Sequence, residues 1–291
     1  MCISAAGALA LRLRKGAIRC GGGSASTSSG DAPVISADAH AISGGLGELG
    51  LRAAALLADA GAPCLVLCSR AGRVARGEGV LAERLQRLRE SSATVLLLRC
   101  DVADSPSVAA MIGVAQAQAP LRTVLHAAGV TRDRLLVRSG TAELAAVMAP
   151  KALGGWHLHA AAAGTSLHCL VLFSSIAATF GNVGQVSYAS ANACIDSLAL
   201  GRAGGGLPAR SMQLPLIAGA GMGALGKNVR HVVTMELELY AECLASVLGQ
   251  LSRQLPRHDP ALPCDPVVFS PMHGRAADMV RVQHIALRPA L

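Results

Sequence analysis

Aromatic residues make up only 2% of the chain, with one Trp, two Tyr and three Phe, which argues against an aromatic-rich binding surface and against an all-β sandwich. Long hydrophobic runs are missing as well. None approaches the roughly 18 consecutive apolar residues that a membrane-spanning helix requires, so a spanning segment is set aside. The nine cysteines, Cys2, Cys20, Cys64, Cys68, Cys100, Cys169, Cys194, Cys243 and Cys264, contain no CxxC pair. Several fall inside apolar runs, and they read as reduced, buried side chains of an intracellular protein. Acidic residues are the scarcer charge, 18 against 26 Lys and Arg, for a net +8. The arginines are nevertheless dispersed, with no basic stripe interleaved with aromatics, so nucleic acid is not the expected partner; a phosphate-bearing ligand is. No acid precedes Asp31, while Arg12, Arg14, Lys15 and Arg19 stand among Ala, Ser and Gly. Residues 1–33 read as a disordered extension or as an organellar transit peptide. The expected location is cytoplasmic in the first case and a plastid or mitochondrion in the second.

Apolar residues are abundant, 52% of 291, and many of them are Ala. Such a composition fills a sizeable core with closely packed helices. From Val34 onward, short β-branched or Leu-rich runs alternate with Ala/Leu segments at helical spacing, the rhythm of βαβ units. The expected fold is α/β, a Rossmann-type doubly wound parallel sheet in a single domain over 34–252, followed by an irregular tail over 253–291. Strands are expected at 39–43, 64–69, 95–100, 123–126, 170–174 and 211–216. Among the helices, 51–60 stops at Gly61, 108–118 has Ser105 as a candidate N-cap with Pro106 in its first turn, and 234–251 is the last.

Gly45, Gly47 and Gly50 have GxGxxG spacing between the first strand and the first helix. Glycines there permit a tight turn and close approach of the backbone to a pyrophosphate, which sits on the free N–H groups of the helix N-terminus. At the end of the second strand, where NAD-binding sheets usually offer an acid to the ribose, stand Ser69 and Arg70. Arg70 suits the 2′-phosphate of NADPH. Asp101, after the third strand, either bonds the adenine amino group or caps the next helix.

Ketone reduction needs a proton donor near the carbonyl oxygen and hydrogen bonds for the developing alkoxide. Tyrosine serves as that acid when a nearby cation favours its phenolate. Tyr188, one of two tyrosines, lies thirteen residues after Ser175, which ends the apolar run 170–173. Ser175 is therefore expected at the C-terminal edge of a buried strand, where such sheets place ligands. Four residues after Tyr188, where a generic reductase of this kind has Lys, stands Asn192.

Residues 42–223 resemble the catalytic half of a polyketide synthase ketoreductase, within the short-chain dehydrogenase/reductase superfamily. The resemblance rests on Gly44 to Gly50, Ser69-Arg70, Cys100 to Asp104, His126-Ala127-Ala128-Gly129-Val130, Ala149 to His159, Phe173-Ser174-Ser175, Tyr188 to Asn192 and Gly221-Met222-Gly223. In that family the Lys comes from an earlier helix, matched here by Lys151. The resemblance implies Tyr188 as proton donor, Ser175 as oxyanion partner, Lys151 as the cation that lowers the Tyr pKa and binds the cofactor ribose, and Asn192 as an organising group. It implies NADPH contacts from Ser43, Gly45, Leu46, Gly47, Leu49, Gly50, Ser69, Arg70, Asp101, Val102, Ala127, Ala128 and Gly129. The implied substrate is a β-ketoacyl thioester of polyketide or fatty-acid type held on a carrier protein, with other synthase domains as partners and no membrane or nucleic acid. Asp133 alone remains of the Leu-Asp-Asp signature that marks one stereochemical class, and Phe180 stands where the other class has Trp. The implied product is the D-configured 3-hydroxyacyl group.

Departures are also legible. Glu48 places a carboxylate in the phosphate loop, which is unfavourable unless it points into solvent. The apolar stretch before the lid reads Leu214-Pro215-Leu216-Ile217, and the family's N-terminal structural subdomain has no room ahead of residue 40. Arg84, Arg87 and Arg89 read as a solvated helix face or as a contact for an acidic carrier protein. His157 and His159 point to different helix faces and make no metal site, and none is expected. Two other functions stay open: a general short-chain carbonyl reductase, and a catalytically silent NADP-binding scaffold of a synthase complex.

Overall fold

The computed structural model describes residues 38–74, 79–218, 234–253 and 267–268. Seven strands run parallel in the order β3-β2-β1-β4-β5-β6-β9: β1 (Ala39–Ser43), β2 (Cys64–Ser69), β3 (Thr94–Arg99), β4 (Leu121–His126), β5 (Cys169–Ser175), β6 (Arg210–Leu214) and β9 (Val267–Val268). Crossover helices between them are α1 (Glu48–Asp59), α2 (Gly79–Arg89), α3 (Ser105–Gln118), α4 (Thr141–Met148), α5 (Gly154–Ala161), the short α6 (Ala177–Phe180) and α7 (Val186–Gly204). The chain winds outward from β1 to β3, then returns to the free side of β1 with β4. That reversal is the topological switch point of a Rossmann-type sheet, outside whose carboxyl strand ends ligands bind.

Strand side chains alternate between two cores, as a sheet covered on both faces requires. Leu65, Leu67, Val171 and Phe173 face a core shared with α1, α2 and α8 (Leu237–Arg253). Val66, Cys68, Leu170 and Leu172 face the other, shared with α3, α5 and α7. Small residues set the spacing: Ala53 and Ala54 of α1 are fully buried. A Cβ at Gly154 would lie 2.7 Å from Val102 Cγ2, so α5 packs directly onto the loop after β3.

Several boundaries differ from those read in the sequence. Asp104 caps α3, its carboxylate accepting from Ser107 N at 3.0 Å, and Ser105 is the first residue of the helix. Pro215 has no N–H to give a ladder, and the expected strand 211–216 ends at Leu214; Leu216–Ile217 (β7) pairs instead with Thr234–Met235 (β8). Val267–Val268, inside the segment read as an irregular tail, pairs in parallel with β6. Among the described residues no helix is long and apolar enough to cross a membrane. Residues 1–33 and the Gly221 to Gly223 motif lie outside them.

Candidate active site

The phosphate loop follows β1 and opens α1. Gly44 takes φ +69, and a Cβ there would sit 2.7 Å from the backbone of Ala127 and Ala128. At Gly50 a Cβ would collide with the Gly44 carbonyl oxygen, whereas at Gly47 it would lie 3.4 Å from it. Gly47 caps α1 without any side-chain hydrogen bond, so the helix begins with donors left for an anion. These features fit a dinucleotide pyrophosphate. Glu48 does not escape into solvent; it ion-pairs with Arg84, and the carboxylate and guanidinium are both largely covered. Arg84 is thus neutralising the loop carboxylate rather than standing on a solvated face.

The remaining candidate cofactor residues divide by what they touch. Arg70 is exposed at the end of β2, beside half-buried Ser69. Asp101 is exposed and accepts from Ala103 N at 3.0 Å; the cap of α3 is Asp104. Leu46 is buried in the core, and partly buried Leu49 packs against it. Val102 is buried against Gly154, and its carbonyl accepts from His157 Nδ1 at 3.0 Å. Ala127, Ala128 and Gly129 continue from β4 at the switch point, with Ala127 N donating to Ser43 O at 2.9 Å. Ser43 itself is fully buried, and its hydroxyl meets His126 Nδ1 at 2.6 Å instead of facing the loop.

Tyr188 lies in the first turn of α7 and Ser175 ends β5. Burial raises the Tyr188 pKa, opposed by hydrogen bonds from the Ser175 hydroxyl and the Asn192 side chain, while the Asp133 charge raises it further. Asn192, one turn along α7, donates through Nδ2 to Tyr188 O at 2.8 Å, and its buried Oδ1 has no partner. The Ser175 and Asn192 side chains are thus neighbours of Tyr188. The Lys151 ammonium donates to Phe173 O at 2.8 Å, two residues before Ser175 in β5. Its charge is countered by Asp196, while burial brings its pKa down to about 8. Lys151 sits in a five-residue π turn, Ala149–Leu153, between α4 and α5. Pro150 within it has no N–H to donate, which favours such a local widening.

Asp196 is a site residue that sequence reading missed. It is 6% exposed, bonds the Ser211 hydroxyl, and accepts from Gln213 Nε2 at 2.7 Å. Gln213 Oε1 in turn accepts from Thr179 Oγ1 at 2.6 Å. Burial raises the Asp196 pKa, opposed by Ser211, Ser174, Gln213 and Lys151. The available signal was a carboxylate one helical turn beyond Asn192 and two beyond Tyr188, on the face of α7 that turns inward. At the rim, Asp133 accepts from Gln185 Nε2 at 3.0 Å, and Phe180 is exposed. The two histidines of α5 part company, His157 to Val102 O and His159 to Arg202 Nη1 at 2.5 Å.

A doubly wound parallel sheet, a glycine cradle at its switch point and a Ser–Tyr pair beside it define a short-chain dehydrogenase/reductase. The family model for the KR domain matches residues 39–219, and the chain belongs to that family. It is 41% identical over 181 residues to the spectinabilin polyketide synthase system protein NorB of Streptomyces orinoci, covering 62% of this chain and 8% of that protein. Against the pikromycin polyketide synthase component PikAIII of Streptomyces venezuelae the identity is 38% over 182 residues, again 62% of this chain but 12% of the relative. Solved structures are similar too. An A-type ketoreductase from a modular polyketide synthase superposes with TM-score 0.67 at 36% identity, over 79% of this chain and 48% of that one. The first ketoreductase of the tylosin synthase gives 0.65 at 31%, over 78% and 49%.

Proposed function

We propose that this chain catalyses the NADPH-dependent reduction of a β-ketoacyl thioester, of polyketide or fatty-acid type, to the 3-hydroxyacyl thioester. The observation that carries this reading is the placement of Tyr188, in the first turn of α7, beside Ser175 at the carboxyl end of β5, with Asn192 one turn further along α7. The loop 44–50 and the start of α1 would hold the pyrophosphate, Asp101 the adenine, Arg70 the 2′-phosphate and Lys151 the ribose. When bound, NADPH supplies the hydride that reaches the carbonyl carbon. Tyr188 gives its phenolic proton to the carbonyl oxygen as charge develops there, while Ser175 donates a hydrogen bond to the same oxygen. The Lys151 ammonium, kept charged by Asp196, favours the phenolate left behind. The acyl chain is presented by a carrier protein, with other synthase domains as partners, and the product is expected in the D configuration.

The direct test is oxidation of NADPH by purified protein with trans-1-decalone or a β-ketoacyl N-acetylcysteamine thioester, with NADH and Tyr188→Phe as controls. Turnover should require NADPH and fall at least about 100-fold in the variant. A second reading, a catalytically silent NADP-binding scaffold, is favoured by the turn of Lys151 towards Phe173 O. It predicts tight NADPH binding with no turnover of any ketone.

A further inference from the structure

His126 is completely buried and has no place in the chemistry above, yet both its ring nitrogens are engaged. Nδ1 lies 2.6 Å from the Ser43 hydroxyl and Nε2 lies 2.9 Å from the Lys151 carbonyl oxygen. A carbonyl can only accept, so Nε2 carries the proton; Nδ1 is then the acceptor and Ser43 the donor. The direction of the chain is fixed: Ser43 O–H to Nδ1, Nε2–H to Lys151 O. The ring is also held sterically. A Cβ at Gly154 would lie 3.4 Å from its Cε1, and one at Gly155 would lie 3.6 Å from its Cδ2.

The two ends of this chain are consequential places. Ser43 is the last residue of β1, directly before Gly44, whose left-handed backbone starts the phosphate loop. Lys151 is the middle residue of the π turn, and its ammonium passes Gly129, where a Cβ would be 2.7 Å from Lys151 Cε. A π turn is irregular, with poorer hydrogen bonding than the helices on either side, so an external donor to its central carbonyl helps to define its shape. We propose that Ser43 and His126 are positioning residues that pin the Lys151 carbonyl and thereby tie the phosphate loop to the placement of the Lys151 ammonium. This rests on the role assigned to Lys151 above.

Burial is consistent with such a device. It pushes the His126 pKa down to about 3, assisted by the Lys151 charge, so the ring stays neutral wherever the enzyme works and keeps one donor and one acceptor. An imidazolium would reverse the Ser43 bond, turning the hydroxyl from donor to acceptor, and set a second positive charge beside Lys151.

The experiment has two arms on the intact chain. In the first, nitrogen-15 NMR of histidine-labelled protein reads the tautomer at neutral pH. His126 protonated on Nε2 alone supports the proposal, and Nδ1–H or a doubly protonated ring overturns it. In the second, kcat, KM and the kcat–pH profile with NADPH are measured for Ser43→Ala, His126→Gln, His126→Leu and Lys151→Met. Glutamine keeps the donor to Lys151 O; leucine does not. Ser43→Ala and His126→Leu are expected to lower kcat on the order of tenfold and to move the alkaline limb set by Lys151, with His126→Gln recovering most of the loss. If Ser43→Ala, which barely alters packing, leaves kcat and that limb unchanged while Lys151→Met is inactive, the relay is only structural. Full activity in Lys151→Met removes the reading of Lys151 and the proposal with it, whatever the tautomer.

Discussion

Two glycines in one loop do different things. Gly50 faces the Gly44 carbonyl so closely that any Cβ collides with rigid backbone, whereas Gly47 has room at 3.4 Å. Gly50→Ala is expected to cost about 1–3 kcal/mol and to weaken NADPH binding sharply, while Gly47→Ala leaves both near wild type; thermal unfolding and a fluorescence titration of NADPH read the contrast. The spacing of the motif was legible in the sequence, but not which of its glycines tolerates a Cβ, because that depends on backbone brought close by the turn. Lys151 and Asp196 make a second prediction. The Lys151 pKa stands at about 8 under the opposing pulls of burial and Asp196. If the ammonium is the active form, kcat falls as pH rises through about 8, and Asp196→Asn, which removes the upward pull, moves that limb to lower pH. An unmoved limb in Asp196→Asn would show that another group controls it.

Elements with a strong period were readable and irregular ones were not. Strands β1 and β2 stand at the limits expected from their apolar runs, because a strand covered on both faces leaves little choice of composition. The π turn had no sequence signature beyond Pro150, and β9 hides among prolines because two residues carry no periodicity. Asp196 was hidden for a related reason: its partners Ser174, Ser211 and Gln213 come from two strands that only the fold brings to α7. The last helix shows how a polar handle docks one element on another. Tyr240 of α8 is fully buried, stacks edge-on against Phe173 with ring centroids 5.6 Å apart, and donates its hydroxyl to Leu49 O in α1 at 3.1 Å. Arg52 and Glu238 bridge the same two helices at 2.5 Å. Tyr240→Phe should cost about 1 kcal/mol of stability and leave kcat intact, the reverse of Tyr188→Phe. Unfolding midpoints and turnover measured on both variants separate the two tyrosines.

For the molecule as a whole, the buried histidines contribute to the response to acid. Burial lowers His126 to about 3 and His40 to about 4, the latter partly offset by Asp38, while both return to about 6.5 on unfolding. Below pH 6.5 the unfolded chain binds protons that the folded chain refuses, so stability rises with pH across this window and is lost as pH falls. Each site contributes a slope of about 1.4 kcal/mol per pH unit. Replacing His40 by Leu is expected to remove about one such site's slope between about pH 6 and pH 5. Equal slopes in urea titrations of the two proteins would contradict it.

The strand order has a consequence for how the chain is made. β1, in the middle of the sheet, precedes every other described strand in the sequence. β2 and β3 then extend one side, and β4, β5, β6 and β9 extend the other. Each strand leaving the ribosome finds an edge already waiting, and none has to be inserted between two that have paired. The sheet can therefore be laid down from its centre outwards during synthesis, with the glycine loop built on the first of the described strands and the Ser–Tyr pair added later on its growing flank.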